Sequence, residues 1–381
     1  MIISIRTVFS VSLLLLLAVG VTTGQQSAKV CFTPAARALA EQRAKVWTEP
    51  APGYDAVLGY DASSGPRKGG PPVDETGLGR PINCVANKDM SPGSGTTPKF
   101  HCSVEGVSDA DGDAIRYKVK PHFKGQTREK RNGEVYGEFL ASRFSKAFGF
   151  FADDSWVADV TCPDCESSLT SKFQGGASWN PFQPAAGIEL PLGMGIDVNC
   201  DDKDTAPLSR SLEKLIEASD TNWASIDAFK LWLAFIDHGD TKTDNHKYSC
   251  LKTVKNADGT LACAPGQAVY YVSDMGSTFG FSADSENKAR LDRWRKKDPI
   301  KVSGNKCTTT AKGVGDPKIS EAGRTLLAVQ LGRLLEDEKS GGAITKIFRA
   351  SRNAERDQSA EAWTAEFVRK AGTIINARCG N

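Results

Sequence analysis

The chain has almost no excess of charge. Its 48 basic residues stand against 46 acidic ones, for a net charge of +2. Nucleic acid and acidic lipid, which select strongly basic surfaces, are therefore not expected partners. Histidine is scarce, with four residues in 381, which leaves few ligands for a zinc centre. Beyond the first 24 residues no segment is apolar enough to span a bilayer. The serine-hydrolase elbow G-x-S-x-G and the zinc-protease pattern H-E-x-x-H are missing. Internal repeats and interleaved basic and aromatic residues are missing too.

One apolar run is present, at the start. Arg6 precedes Val8 to Val21, and Thr22-Thr23-Gly24 follow. A basic residue, a short apolar stretch and small residues before Gln25 read as a secretory signal peptide over 1–24. The expected mature protein is secreted or periplasmic, with no stable membrane insertion. Ten cysteines, all after this segment, suit an oxidising compartment and several disulfides. Cys250 and Cys263 flank the polar turn Asn256-Ala257-Asp258-Gly259 and can staple a hairpin. Cys379 can tie down the C-terminus. Cys162-Pro163-Asp164-Cys165 is a C-x-x-C pair, read here as a disulfide rather than a zinc or haem site.

Residues 25–80 read as an N-terminal extension, with a helix over 34–47 and then a Pro/Gly-rich stretch. Strands are expected over 81–85, 99–104, 114–120 and 156–160, with a glycine-containing loop over 90–98. Asp109, Asp111 and Asp113 form a turn rather than a calcium loop, because Lys120 stands where a bidentate glutamate would be needed. The spacing of Val135, Phe139, Leu140, Phe144 and Phe148 predicts a helix over 134–148, closed by Gly149. Residues 161–215 carry no clear pattern. Helices follow over 222–236, 320–335, 343–351 and 360–377. The order is a small β-rich part with one helix (81–160), then a larger, mainly helical part (161–381).

The chemistry concentrates in His238-Gly239-Asp240-Thr241-Lys242-Thr243-Asp244-Asn245 and in Tyr270-Tyr271-Val272-Ser273-Asp274-Met275-Gly276. These read H-x-D-x-K-x-x-N, then an apolar strand ending in D-x-G. Phosphoryl transfer needs a carboxylate to orient and deprotonate a hydroxyl, and oxygen ligands to hold a divalent metal against phosphates. Asp240 is the candidate base, with Lys242 beside it. Asn245 and Asp274 are the candidate metal ligands, and His238 buttresses the loop. Upstream, Gly93, Gly95 and Thr96 can offer backbone N–H groups to phosphates. Lys118 and Lys120 share one strand face. Glu134 and Glu138 share one helix face and can hold either lysine. Spacing favours Lys120 with Glu138 and leaves the other pairings open. Each of these four taken singly also reads as an ordinary surface charge.

On these residues the chain resembles the protein-kinase-like superfamily over residues 81–340. His238-Gly239-Asp240 with Asn245 is similar to the aminoglycoside and choline phosphotransferases. Lys242 is closer to the protein-kinase branch, and Asp274-Met275-Gly276 stands where that superfamily has D-F-G. The leader and the cysteines are similar to those of secretory-pathway kinases, and the string of elements to that of atypical secreted kinase-like proteins of bacteria. The resemblance implies an α+β, bilobal, disulfide-stapled kinase-like fold, with a small β-rich lobe carrying one helix and a larger helical lobe. It implies ATP with Mg²⁺ or Mn²⁺, and transfer of the γ-phosphoryl group to a hydroxyl of a protein, sugar or lipid head group. The chain departs from the family in three places. Only Gly93 and Gly95 remain of the glycine loop, no A-P-E follows Asp274, and a Cys-flanked insertion separates Asn245 from Asp274. A secreted pseudokinase that serves as a scaffold is the alternative within the fold. A disulfide-rich matrix protein without a nucleotide site is the alternative outside it.

Overall fold

The structure is a computed structural model that describes residues 31–61, 70, 73–87, 97–108, 114–121, 132–169, 179–196, 223–241, 245–280 and 289–380. The signal-peptide segment, the glycine loop over 90–96 and the aspartate turn over 109–113 lie outside these residues.

The fold is mixed α+β. Helix α1 (Pro34–Arg43) opens on Thr33, whose hydroxyl accepts from the amide of Ala36. It stops earlier than the apolar spacing predicts. From Lys45 the chain lies against a distant strand instead, with Lys45 N–H donating to Ala268 O and Tyr270 N–H donating to Lys45 O. Strands β1 (Tyr54–Asp55) and β2 (Tyr60–Asp61) make a short ladder.

The main sheet comprises β3 (Ile82–Asn83), β4 (Val85–Ala86), β5 (Phe100–Ser108), β6 (Ala114–Lys120), β7 (Asp154–Thr161) and β8 (Phe182–Leu190), in the order β3-β7-β8-β6-β5-β4. Its two edge strands are consecutive in sequence, separated only by Cys84. The sheet must therefore curl until its edges meet there. The Cys84–Cys102 disulfide lies at that junction. Inside the curl lies a core that includes Phe100, Tyr117, Val119, Trp156, Val160, Ala186 and Ile188. Alternation then sends Lys118 and Lys120 to the opposite, outer face. The central strand β8 comes from the unpatterned 161–215 region, so the sheet runs past residue 160, where the sequence reading divides the chain.

Helix α2 (Gly133–Ala147) covers that outer face. Asn132 caps it by accepting from the amide of Glu134, which sits in the first turn. There a carboxylate is favoured by the helix dipole. Phe139, Phe144 and Phe148 are fully buried, because the helix also packs against the helical half of the molecule. Gly187 on β8 faces Val135, and a Cβ there would come within 3.0 Å of it.

Strand β9 (Met194–Gly195) follows β8 after a short turn and joins a second sheet beside β10 (His246–Cys250) and β13 (Ala268–Val272). Between them helix α3 (Trp223–Phe235) buries nearly every side chain. A hairpin of β11 (Thr253–Lys255) and β12 (Leu261–Cys263) is closed by the Cys250–Cys263 disulfide. The remainder is short helix α4 (Leu291–Trp294), a sheet of β14 (Ile300–Ser303), β15 (Lys306–Thr309) and β16 (Lys318–Ile319), and helices α5 (Glu321–Gly341), α6 (Ala343–Ala350) and α7 (Ala360–Asn376). Aromatic rings knit α2 to this half: Phe144 packs on Phe367 at 4.8 Å and Phe148 on Trp232 at 5.0 Å. The Cys307–Cys379 disulfide fixes the C-terminus to β15, and Cys162–Cys165 closes a turn after β7. No helix among the described residues is long and apolar enough to cross a membrane.

Candidate functional site

On the outer sheet face the two lysines part company. Lys118 lies opposite Glu189 of β8 and pairs with it at 2.6 Å. Lys120, 2% exposed, turns toward α2. Its Nζ donates to Glu138 Oε1, lies 2.8 Å from Asp274 Oδ1 and stands 3.8 Å from Glu134 Oε1. One ammonium therefore meets three carboxylates drawn from α2 and from the segment after β13. Glu189 was missed by sequence reasoning. Its strand carries Pro184 and Gly187, and only the alternation Ile188-Glu189-Leu190 signals it.

The loop after α3 and the segment after β13 are tied together by backbone bonds. Asp237 adopts φ 53° and ends the helix, while His238 N–H donates to Leu233 O at 2.9 Å. Gly239 N–H then donates to Ser277 O at 2.9 Å, and Phe279 N–H to Ile236 O at 2.5 Å. Farther on, Ser273 N–H donates to Asn245 O at 2.7 Å. These bonds tie the loop that carries Asp240 and Asn245 to the segment that carries Asp274. The side-chain amide of Asn245 donates to Asp240 O at 3.1 Å, so the two loop residues position each other.

Asp274 adopts φ 53°, in the left-handed region that L-residues visit at a cost. Asp is among the few side chains that tolerate it. The following Gly276 is required by space: a Cβ there would overlap Glu134 Cγ. Gly137 on α2 is likewise required, since a Cβ would lie 2.5 Å from Gly276 O. Thr278 Oγ1 donates to Met275 O at 2.9 Å and lies 3.2 Å from Gly137 O. Two glycines, one on each side, thus allow the D-M-G segment to sit directly on the first turns of α2.

The charges respond to this crowding. The Lys120 ammonium beside it holds the Asp274 carboxyl well below the usual range, against the opposing effect of burial. Burial, reinforced by the Glu189 and Asp274 charges, pushes Glu138 up despite Lys120. The crowding thus holds Asp274 toward its ionised form and Glu138 toward its neutral one. For Lys120, burial opposes the charge, but Asp274, Glu134 and Glu138 together outweigh it and hold its pKa well above the lysine range. Behind them Asp153 is pushed up to about 7 by burial and by Glu189. Burial lowers His238 to about 4 against the pull of Asp240, so at neutral pH it is an uncharged, packed side chain.

The arrangement suits a divalent cation in its donor chemistry. Asp274 is ionised and its side chain is 33% exposed. The Asn245 amide nitrogen is occupied by Asp240 O, which leaves its oxygen as the end to offer a cation. Among the described residues, the cluster of three His, Cys, Asp or Glu groups at metal-binding spacing is Cys162, Asp164 and Cys165. Both of its sulfurs are in a disulfide. Gly93, Gly95, Thr96 and Lys242 lie outside the described residues.

The chain matches no protein-family model and no curated protein. Among solved structures it is similar to the crystal structure of a Helicobacter pylori proinflammatory kinase, CtkA. The TM-score is 0.38 and the identity 11%, over 77% of this chain and 95% of that one. A similarity of this size specifies neither chemistry nor substrate.

Proposed function

We propose that this chain is an extracytoplasmic, bilobal, kinase-like phosphotransferase that moves the γ-phosphoryl group of ATP to a hydroxyl acceptor. The observation that carries the reading is the convergence of Lys120, Glu138 and Asp274 on one point, beside a loop that holds Asp240 and Asn245. Phosphoryl transfer asks for that set: a buried cation for phosphate oxygens, a carboxylate and an amide oxygen for a metal, and a second carboxylate for the nucleophile.

In this reading Glu138 and Glu134 aim the Lys120 ammonium at the phosphates. Asp240 accepts the proton of the attacking hydroxyl, with its backbone braced by Asn245. Asn245 and Asp274 would hold Mg²⁺ or Mn²⁺, which when bound neutralises charge on the phosphates. Gly93, Gly95 and Thr96 would add backbone donors, Lys242 a contact to the transferred group, and Lys118 a second positive charge pinned by Glu189. The two lobes correspond to the curled sheet with α2 and to the helical remainder. The apolar leader and the disulfides support an extracytoplasmic setting.

Calorimetry of ATP binding to the oxidised protein, with and without Mn²⁺, tests the reading. Metal-dependent binding should vanish in Asp274→Ala and survive in Asp240→Asn, which should instead lose ATP turnover by two orders of magnitude or more. Equal binding by wild type and Asp274→Ala would remove the metal assignment. Binding without turnover would make the protein a nucleotide-binding module.

A further inference from the structure

We infer that the outer face of the β14-β15-β16 sheet docks an acidic peptide segment, and that the hydroxyl acceptor of this chain is carried on such a peptide. The docking stands on the surface itself. The acceptor role rests on the proposed transfer at Asp240.

Charge is balanced over the whole chain but not along it. Residues 290–318 hold nine Lys or Arg against three Asp or Glu, so the rest of the chain carries a slight acidic excess. Two of the nine are neutralised locally. Lys297 pairs with Asp237 at 2.7 Å, and Arg290 lies 3.6 Å from Asp357. Lys301, Lys306, Lys312 and Lys318 are exposed and make no ion pair among the described residues.

Strand register decides where three of these lysines stand. Ile300 is opposite Thr309, and Cys307 is opposite Ile319. All four are buried, which marks the inner face. Alternation puts the intervening residues on the outer face. There Lys301 and Lys318 flank Thr308 from either side, and Lys306 stands opposite Ser303. The face thus presents three ammonium groups and two hydroxyls, and none of the five residues is acidic. Lys301 and Lys318, two strand spacings or about 10 Å apart, gain nothing from each other. An anionic chain laid across the face gives each lysine a partner.

The neighbourhood of this face is the candidate catalytic loop. Gly313, in the connection from β15 to β16, adopts φ 66°, and its Cβ position falls 2.6 Å from Thr241 Cβ and Oγ1. Thr241 directly follows Asp240, and exposed Lys312 directly precedes Gly313. A peptide held on the sheet can therefore continue over this connection toward Asp240. Two features favour a peptide over a lipid surface. Strand β14 lies at the edge of its sheet, and an edge offers backbone N–H and C=O groups to an extended chain. The outer face also carries no apolar side chain to enter a bilayer.

The test is fluorescence anisotropy of a fluorescein-labelled peptide of Glu and Asp around one Ser, titrated with the oxidised protein in the absence of nucleotide. The wild type should bind it at low ionic strength and release it as salt is added. The variant Lys301→Glu/Lys306→Glu/Lys318→Glu should bind at least about tenfold more weakly. The variant Lys252→Glu/Lys255→Glu/Lys346→Glu, with the same net charge but changed at exposed lysines elsewhere, should bind as the wild type does. No binding by the wild type, or an equal loss in both variants, overturns the docking face. Tighter binding to phosphatidylserine vesicles than to the peptide overturns the choice of a peptide. With ATP and Mn²⁺ added, the wild type should phosphorylate the serine, and the first variant should show a raised KM with kcat retained. Binding without transfer, while ATP is still turned over, overturns the acceptor role. Peptide binding with no ATP turnover in any protein counts against the proposed function and leaves the docking face standing.

Discussion

His238 and His246 have pKa values pushed down to about 4, His238 by burial and His246 by burial and its histidine neighbour. Above the ordinary value of 6.5 both are neutral in the folded and unfolded chain and add no pH dependence. Below it the unfolded chain takes up protons that the folded chain refuses. Stability should therefore fall as pH drops from 6.5 toward 4, by at most about 1.4 kcal/mol per pH unit for each histidine. Urea midpoints at pH 7, 6 and 5 check this, and His246→Gln should give the shallower slope. That Asp240 and Asn245 lie together, with the Asn245 amide donating to Asp240 O, was legible because spacing within a short motif survives folding. Spacing also favoured Lys120 with Glu138, and the structure pairs them, but spacing left Lys118 open. Strand alternation puts both on one face, and only the position of Glu189 on β8 decides which lysine is taken up elsewhere.

The contact between α2 and the D-M-G segment depends on two glycines. Gly137→Ala would bring a methyl to 2.5 Å from Gly276 O, and Gly276→Ala would press on Glu134. Overpacking of this kind typically costs about 1–3 kcal/mol. Here it should also weaken nucleotide binding, because Glu134 and Glu138 move with the helix. Gly332 lies inside α5 with nothing within 4 Å of its Cβ position. Gly332→Ala should stabilise by about 0.4–1 kcal/mol. Denaturant melts of the three variants test the sign at each position. The helices were legible where an apolar stripe repeats, as in α2 and α3. The end of α1 was not, because pairing of Lys45 with β13 overrides local helical preference. Strand β8 escaped because a strand broken by Pro184 and Gly187 lacks the alternation that sequence reading needs.

The disulfides act over very different lengths of chain. Cys307–Cys379 spans 72 residues and Cys162–Cys165 only 3. In the chain-entropy view the first contributes about 4 kcal/mol and the second much less. Replacing Cys307 and Cys379 together by alanine should lower the urea midpoint well below that of the Cys162→Ala/Cys165→Ala protein. Equal midpoints would mean that loop closure does not govern this stability. By itself the sequence determined what is local. It set the helices with clear apolar stripes, the H-x-D-x-K-x-x-N and D-x-G segments, and the turn between Cys250 and Cys263. The tertiary structure alone decided how 154 residues of chain fold back to bring Asp274 to Lys120. It decided the curl that joins β3 to β4 at Cys84, and the glycine-to-glycine approach that sets α2 on the D-M-G segment. Local pattern records which face of an element is apolar. Which charged groups then meet depends on how those faces are packed together, which no single stretch of sequence contains.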